Sequence, residues 1–177
     1  MPNENVLKRK ICLVGDGAVG KTSLIRRFVL DEFEDRYITT IGTKVTKKSV
    51  KLESIETRID MMLWDIMGQH GYSSLQRTYF SGAAGAIAVC DTTRRETLES
   101  IPMWVESLRG ACAEIPVMVL ANKADLKDSV QFTPQELQEL SRSAGVDAAY
   151  YTSAKTGGNV EKSFLDMANL VLESAQG

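Results

Sequence analysis

Eight consecutive residues, Gly15-Asp16-Gly17-Ala18-Val19-Gly20-Lys21-Thr22, carry the densest chemistry in this 177-residue chain. They fit the spacing G-x-x-x-x-G-K-[ST], in which glycines let the backbone wrap until successive N–H groups face one anion. The flanks suit that task. Ile11-Cys12-Leu13-Val14 reads as a short buried strand, and 21–29 reads as a helix with Leu24, Ile25 and Phe28 on one face. A helix start adds unpaired N–H donors and a partial positive charge. Lys21 is placed to reach the outer phosphates of a nucleotide, and the Thr22 hydroxyl to ligate Mg²⁺. An ordinary strand-to-helix turn would need neither residue.

Three further motifs follow in order. Asp65 ends the apolar run Ile59, Met61, Met62, Leu63. A carboxylate at a strand end, downstream of a phosphate loop, holds Mg²⁺ through water. Gly68 suits a loop whose N–H must closely approach a terminal phosphate, and Gln69 is placed to orient an attacking water. Alone, Asp-x-x-Gly is a common turn; after a phosphate loop it reads as part of the site. Next, Asn122-Lys123-Ala124-Asp125 ends the apolar run 117–121. Asp125 offers two acceptor oxygens, matching the paired ring N–H and amino donors of guanine, a pair that adenine lacks. The stem of Lys123 can lie over the base. Ser153-Ala154-Lys155 then follows Tyr150-Tyr151-Thr152, and the Ala154 N–H is expected to meet the guanine carbonyl. All four motifs sit at predicted strand C-terminal ends, where open α/β sheets bind ligands.

With these motifs in this order, the chain resembles the Ras superfamily of small GTPases from about Lys8 to Glu173. The resemblance implies a P-loop NTPase small G-domain that binds GTP and GDP with Mg²⁺ and hydrolyses GTP. It extends the nucleotide set to Asp16, Ala18, Val19 and Ser23. It reads Phe33, Tyr37 and Thr40 as switch I, with Phe33 edge-on to guanine, Tyr37 over the phosphates and Thr40 closing on Mg²⁺ and the γ-phosphate. Gly68 to about Phe80 is similar to switch II. The implied Mg²⁺ ligands are Thr22, Thr40 and, through water, Asp65. The implied catalytic residues are Gln69, Lys21, Thr40 and Gly68. Tyr79-Phe80-Ser81-Gly82-Ala83, Thr40-Ile41-Gly42 and the Asn-Lys-x-Asp spelling look Rab-like, whereas the spelling of residues 15–22 looks Rho-like. No helical insert of the Rho type is read between Asp125 and Thr133. The family's usual Thr-Ala before the switch II glycine is here Ile66-Met67, and His70 stands where an acidic residue meets exchange factors. These departures bear on partner recognition more than on chemistry.

The resemblance implies an effector, an exchange factor and a GTPase-activating protein that read the two switches. Related enzymes gain about 10³–10⁵ in rate from an arginine given in cis or in trans. Where G-protein α subunits carry theirs, this chain has Tyr37; Arg36 is one step too early and reads as a solvated loop charge. Slow intrinsic hydrolysis is therefore expected. A GTP-binding module with negligible hydrolysis is the alternative, disfavoured by Gln69 and Gly17. A P-loop kinase or ATPase is disfavoured by Asn122 and Asp125.

Composition agrees. A chain 44% apolar suits one G-domain over 1–177, with a core of about 8–175. A net charge of −2 argues against a nucleic-acid footprint. Three cysteines make no closed disulfide set or metal-ligand spacing; Cys12 and Cys90 read as small core residues, and a reducing, cytoplasmic setting is expected. No signal peptide, membrane span or prenylation box is read, so membrane association would come through a partner or a further tail. A monomer is expected. Lys8-Arg9-Lys10 reads as a solvated lead-in, and Lys47-Lys48 as a charged hairpin edge.

The elements that must position these motifs alternate. Strands are predicted near 10–15, 44–50, 57–65, 84–90, 116–121 and 148–152. Helices are predicted near 21–30, 72–80, 95–112, 133–143 and 159–175. This pattern gives an α/β fold: a mixed, six-stranded, mostly parallel sheet with helices on both faces and one antiparallel hairpin, 44–50 with 57–65. Thr133-Pro134-Gln135-Glu136 spells a capped helix start. Phe164, Met167 and Leu170-Val171 fall on one helical face and read as core packing.

Overall fold

The computed structural model describes residues 5–34, 42–53, 55–68 and 73–175, the side chains of 73 and 74 excepted. Along the chain run β1 (Val6–Val14), α1 (Lys21–Leu30), β2 (Thr43–Lys51), β3 (Arg58–Ile66), α2 (Ser73–Phe80) and β4 (Gly85–Asp91). Then come α3 (Arg95–Glu99), α4 (Ile101–Ala111), β5 (Val117–Asn122), a 3₁₀ turn (Lys127–Ser129), α5 (Pro134–Ser143), β6 (Ala148–Tyr151) and α6 (Val160–Ala175). The strands form one sheet in the order β2-β3-β1-β4-β5-β6. Only β2 with β3 is antiparallel; the other pairings are parallel. The mixed, mostly parallel sheet is the one predicted.

Side chains alternate across a strand, so continuous apolar runs feed both faces of a covered sheet. Ile11 and Leu13 of β1, Ile87 and Val89 of β4, and Met118 and Leu120 of β5 join one buried cluster with α1 and α6. Phe28 and Phe164 stack there with ring centroids 4.4 Å apart. Cys12, Val14, Ala86, Ala88, Cys90, Val117 and Val119 turn the other way, into a second cluster with Phe80, Trp104, Leu108 and Leu137. Met167 and Val171 are buried as core, as expected, and so are Cys12 and Cys90. Burial pushes the Cys12 thiol up to about 12 and that of Cys90 higher still, so neither is a reactive thiolate.

Two expectations are corrected and one element is added. Lys8-Arg9-Lys10 is not a lead-in but lies inside β1, which pairs with β3 from Val6 opposite Arg58 onward. Lys10 lays its ammonium 3.7 Å from the centre of the Trp64 ring and donates to the Ser81 carbonyl at 2.8 Å. Long cationic stems cover apolar surface while their heads stay in water, so basic residues prolong this strand rather than ending it. The single helix predicted over 95–112 is two, α3 and α4. Pro102 has no N–H for the fourth carbonyl back, and its ring crowds that carbonyl. At the break, the Ser100 N–H and hydroxyl both donate to Glu96 O, at 3.1 and 3.0 Å. Finally, the 3₁₀ turn at Lys127–Ser129 was not anticipated, although no longer helix stands there.

The capped start of α5 is present in full. Thr133 Oγ1 accepts from the Glu136 N–H at 3.1 Å, and Glu136 Oε2 accepts from the Thr133 N–H at 2.8 Å. Among the described residues no helix is long and apolar enough to cross a membrane.

Candidate nucleotide site

The carbonyls of the loop from β1 to α1 are anchored one after another. Lys21 Nζ donates to Gly15 O at 2.9 Å and to Asp16 O at 3.0 Å. Arg94 Nη2 donates to Gly17 O at 2.8 Å, Lys123 Nζ to Ala18 O at 2.9 Å, and Asn122 Nδ2 to Val19 O at 3.1 Å. Leu24 N donates to Gly20 O at 2.9 Å. In a planar trans peptide the C=O and the following N–H point in opposite directions. Six anchored carbonyls in succession therefore aim the N–H groups of residues 16–21 away from their anchors, into one concavity. No side chain caps the start of α1, and its first turn holds no acidic residue. This is a backbone built for an anion.

Two glycines are required by space. A Cβ on Gly15 would lie 2.2 Å from Val89 O, and one on Gly20 would lie 2.2 Å from Asn122 Nδ2. Both have positive φ, +140° and +103°. Gly17 differs: a Cβ there meets nothing within 4 Å. Ala18 adopts φ 63°, a left-handed conformation that residues with a side chain rarely take.

Lys21 is buried at the loop's centre. Desolvation holds its pKa down to about 8, with Arg94 pushing the same way and Asp65 and Asp16 opposing. An arriving phosphate would restore its preference for the charged form. Thr22 Oγ1 donates to Asp65 Oδ2 at 2.5 Å, joining the start of α1 to β3. These two hard oxygen donors fit Mg²⁺, which takes one or two protein oxygens and leaves other positions to water and phosphate. No cluster of three His, Cys, Asp or Glu suited to a metal exists among the described residues. Beyond β3, Gly68 lies against the loop. A Cβ on it would fall 2.5 Å from Gly15 O, 2.6 Å from Asp16 C and 2.7 Å from Gly17 N.

The segments 122–125 and 153–155 meet at the ends of β5 and β6. Asn122 is buried at the end of β5, and its Oδ1 accepts from Thr152 Oγ1 at 3.3 Å and from the Ala154 N–H at 3.1 Å. The Ala154 donor expected to face guanine is thus already engaged, and a base would share it. Asp125 Oδ1 accepts from Ser153 Oγ at 2.7 Å, so the two motifs brace each other. Arg27 of α1 holds the second motif through its carbonyls, Nε to Ala154 O at 2.7 Å and Nη2 to Lys155 O at 2.5 Å. Phe33 packs half-buried against the α1–α6 cluster. Tyr37, Thr40 and Gln69, with Arg36 and His70, lie outside the described residues.

Four site residues escaped the sequence reading: Arg27, Asp91, Arg94 and Trp104. Trp104 Nε1 donates to Asp16 Oδ1 at 3.0 Å. Asp91 ends β4, as Asp65 stands one residue before the end of β3, and is buried at 1% exposure. Its Oδ2 takes Lys123 Nζ at 2.8 Å and Arg94 Nε at 3.2 Å, and its Oδ1 accepts from Thr93. Burial alone would raise the carboxyl pKa, yet Lys123 and Thr93 hold it below the usual range. A buried carboxylate closing an apolar strand was the available signal. Among the described residues, an arginine that bonds this loop is Arg94, far from it in sequence.

Comparison with known proteins places the chain among relatives. A family model described as the Ras family matches residues 10–173. GTP-binding protein ypt4 of Schizosaccharomyces pombe is 32% identical over 166 residues, covering 92% of this chain and 71% of the relative. Ras-related protein RABA4b of Arabidopsis thaliana is 38% identical, over 88% of this chain and 68% of the relative. Ras-related protein Rab-21 of Homo sapiens is 33% identical, over 94% of this chain and 73% of the relative.

Proposed function

The chain belongs to the Ras family, and from that premise we propose how its residues divide the work of the switch. The protein is a Rab-like small GTPase that binds GTP and GDP with Mg²⁺ and hydrolyses GTP to GDP. Our reading assigns the phosphates to the N–H groups of residues 15–22, with Ser23 and Lys21 beside them. The observation that carries it is the unbroken row of anchored carbonyls, which leaves an N–H cradle with Lys21 at its centre. Thr22, Thr40 and, through water, Asp65 are assigned to Mg²⁺. When bound, the cation offsets phosphate charge. Gln69 aligns the attacking water, and Phe33 and Tyr37 flank the nucleotide. Asn122, Lys123, Asp125 and the 153–155 loop read guanine.

Catalysis on this reading is positioning and electrostatics: fixed donors spread the charge that develops in the transition state. With no arginine assigned to the γ-phosphate, intrinsic hydrolysis is slow and an outside activator supplies the missing charge. Loss of the γ-phosphate releases the contacts at Thr40 and Gly68, and both switches relax. We assign 33–42 and 68–80 as the surface for effector, exchange factor and activating protein, on one monomeric G-domain over 1–177. Such a protein works in the cytoplasm, in intracellular trafficking or signalling, and meets membranes through a partner or a tail.

The base assignment is tested by Asp125→Asn. The change swaps an acceptor for an amide donor, leaving guanine's donors unpaired. Affinity for GDP should fall by about 10²-fold or more, while xanthosine diphosphate, with an oxygen in that place, should bind better. Titration with both nucleotides measures this. Unchanged GDP affinity rejects the role of Asp125.

A further inference from the structure

The phosphate loop contains one residue in a costly backbone conformation, and one side chain holds the peptide in front of it. Ala18 sits at φ 63° with no glycine to ease it. The peptide joining Gly17 to Ala18 carries the Gly17 carbonyl, to which Arg94 Nη2 donates at 2.8 Å. The Ala18 N–H therefore points opposite the guanidinium, into the cradle. Release of that carbonyl would let the peptide rotate, relieve Ala18 and turn its N–H away from the phosphates.

Arg94 is itself fixed. Its Nε meets Asp91 Oδ2 at 3.2 Å, so one planar fork spans the carboxylate at the end of β4 and the loop carbonyl. Asp91 is buried, whereas Arg94 keeps about a third of its side chain exposed. Arg94 serves its two partners from two nitrogens of one rigid plane, whereas a lysine here would have to bring both within reach of a single nitrogen. Gly17 also stands beside the approach of Gly68, since a Cβ on Gly68 would lie 2.7 Å from Gly17 N. The clamp therefore acts where the phosphate loop and the segment after β3 touch.

We propose that Arg94 is a positioning residue for GTP binding and hydrolysis: by bridging Asp91 and the Gly17 carbonyl, it holds Ala18 in its left-handed conformation and aims the Ala18 N–H at the phosphates. It acts through the loop and not on the reacting atoms. The proposal rests on the assignment of residues 15–22 to the phosphates.

Arg94→Ala and Arg94→Lys are to be compared with the unaltered protein for GDP release and single-turnover GTP hydrolysis. A hydrogen bond from a charged group bears on the conformation, so each variant should release GDP about tenfold faster and hydrolyse GTP about tenfold slower. Arg94→Lys should behave like Arg94→Ala. Adding Ala18→Gly to Arg94→Ala should recover much of both losses, because glycine adopts φ near 60° without strain. A purely electrostatic role would let Lys restore the wild-type rates and leave Ala18→Gly without benefit; either result overturns the proposal. So would wild-type rates in Arg94→Ala. A far-ultraviolet circular dichroism spectrum of each GDP-bound variant separates this from misfolding, and an unchanged spectrum is expected for a part-exposed side chain. Failure of the unaltered protein to bind GDP would instead reject the phosphate assignment itself.

Discussion

Gly68 leaves no room for a side chain. Its missing Cβ would sit within 2.7 Å of three backbone atoms of the phosphate loop, and backbone does not yield as a flexible side-chain end can. Gly68→Ala must therefore hold the segment after β3 away from residues 15–17. The contact proposed at Gly68 serves the γ-phosphate, so GTP hydrolysis should drop by on the order of 10²-fold while GDP affinity changes little. Single-turnover hydrolysis beside GDP titration decides this; equal loss of both would mean that Gly68 supports the loop rather than the switch. At this scale the site was legible wherever residue type carries the chemistry. Only glycine fits at 15 and 20, and only a long cation in the place of Lys21 reaches two loop carbonyls. Arg94 and Arg27 were not legible, because each acts on backbone carbonyls distant in sequence, and a carbonyl places no constraint on the residue that owns it. Arg36 drew attention by closeness in the chain, which says nothing about closeness in space.

Elements announced themselves by their ends more than by their middles. The start of α5 was written in four residues, and the reciprocal bonds between Thr133 and Glu136 follow that spelling. Thr133→Ala removes the acceptor for the Glu136 N–H and should cost about 1 kcal/mol of stability. Urea unfolding of the GDP-bound protein measures it, with the slope of the transition unchanged if only stability has altered. The helix break at Pro102 was equally present in the sequence, but the apolar period runs through it. Ile101, Trp104, Val105 and Leu108 continue the buried face, so periodicity reports one helix where the hydrogen bonds make two. The early start of β1 was hidden for the converse reason: pairing with β3, not apolar content, extends a strand through Lys8, Arg9 and Lys10.

Across the whole molecule, the parallel sheet was readable because β1, β4 and β5 are apolar on both faces, a pattern that only a doubly covered sheet explains. The same sheet delivers two carboxylates, Asp65 and Asp91, at the ends of two parallel strands. Asp65 faces the start of α1. Asp91 does something else. Its Oδ2 is shared by Arg94, which grips the loop we assign to the phosphates, and by Lys123, which belongs to the motif we assign to the base and also grips Ala18 O. On that assignment the two halves of the nucleotide fall on parts bonded to one carboxylate, so the ordering of each bears on the other. Filling one half lowers the entropic cost of filling the other, and by reciprocity the enhancement is the same in both directions. Guanosine and inorganic pyrophosphate, supplied as separate molecules, should then block rebinding of a fluorescent GDP more strongly together than the product of their separate effects. Asp91→Asn should bring the joint effect back to that product. Simple multiplication in the unaltered protein would mean that its base and phosphate subsites, though bonded together, are thermodynamically independent.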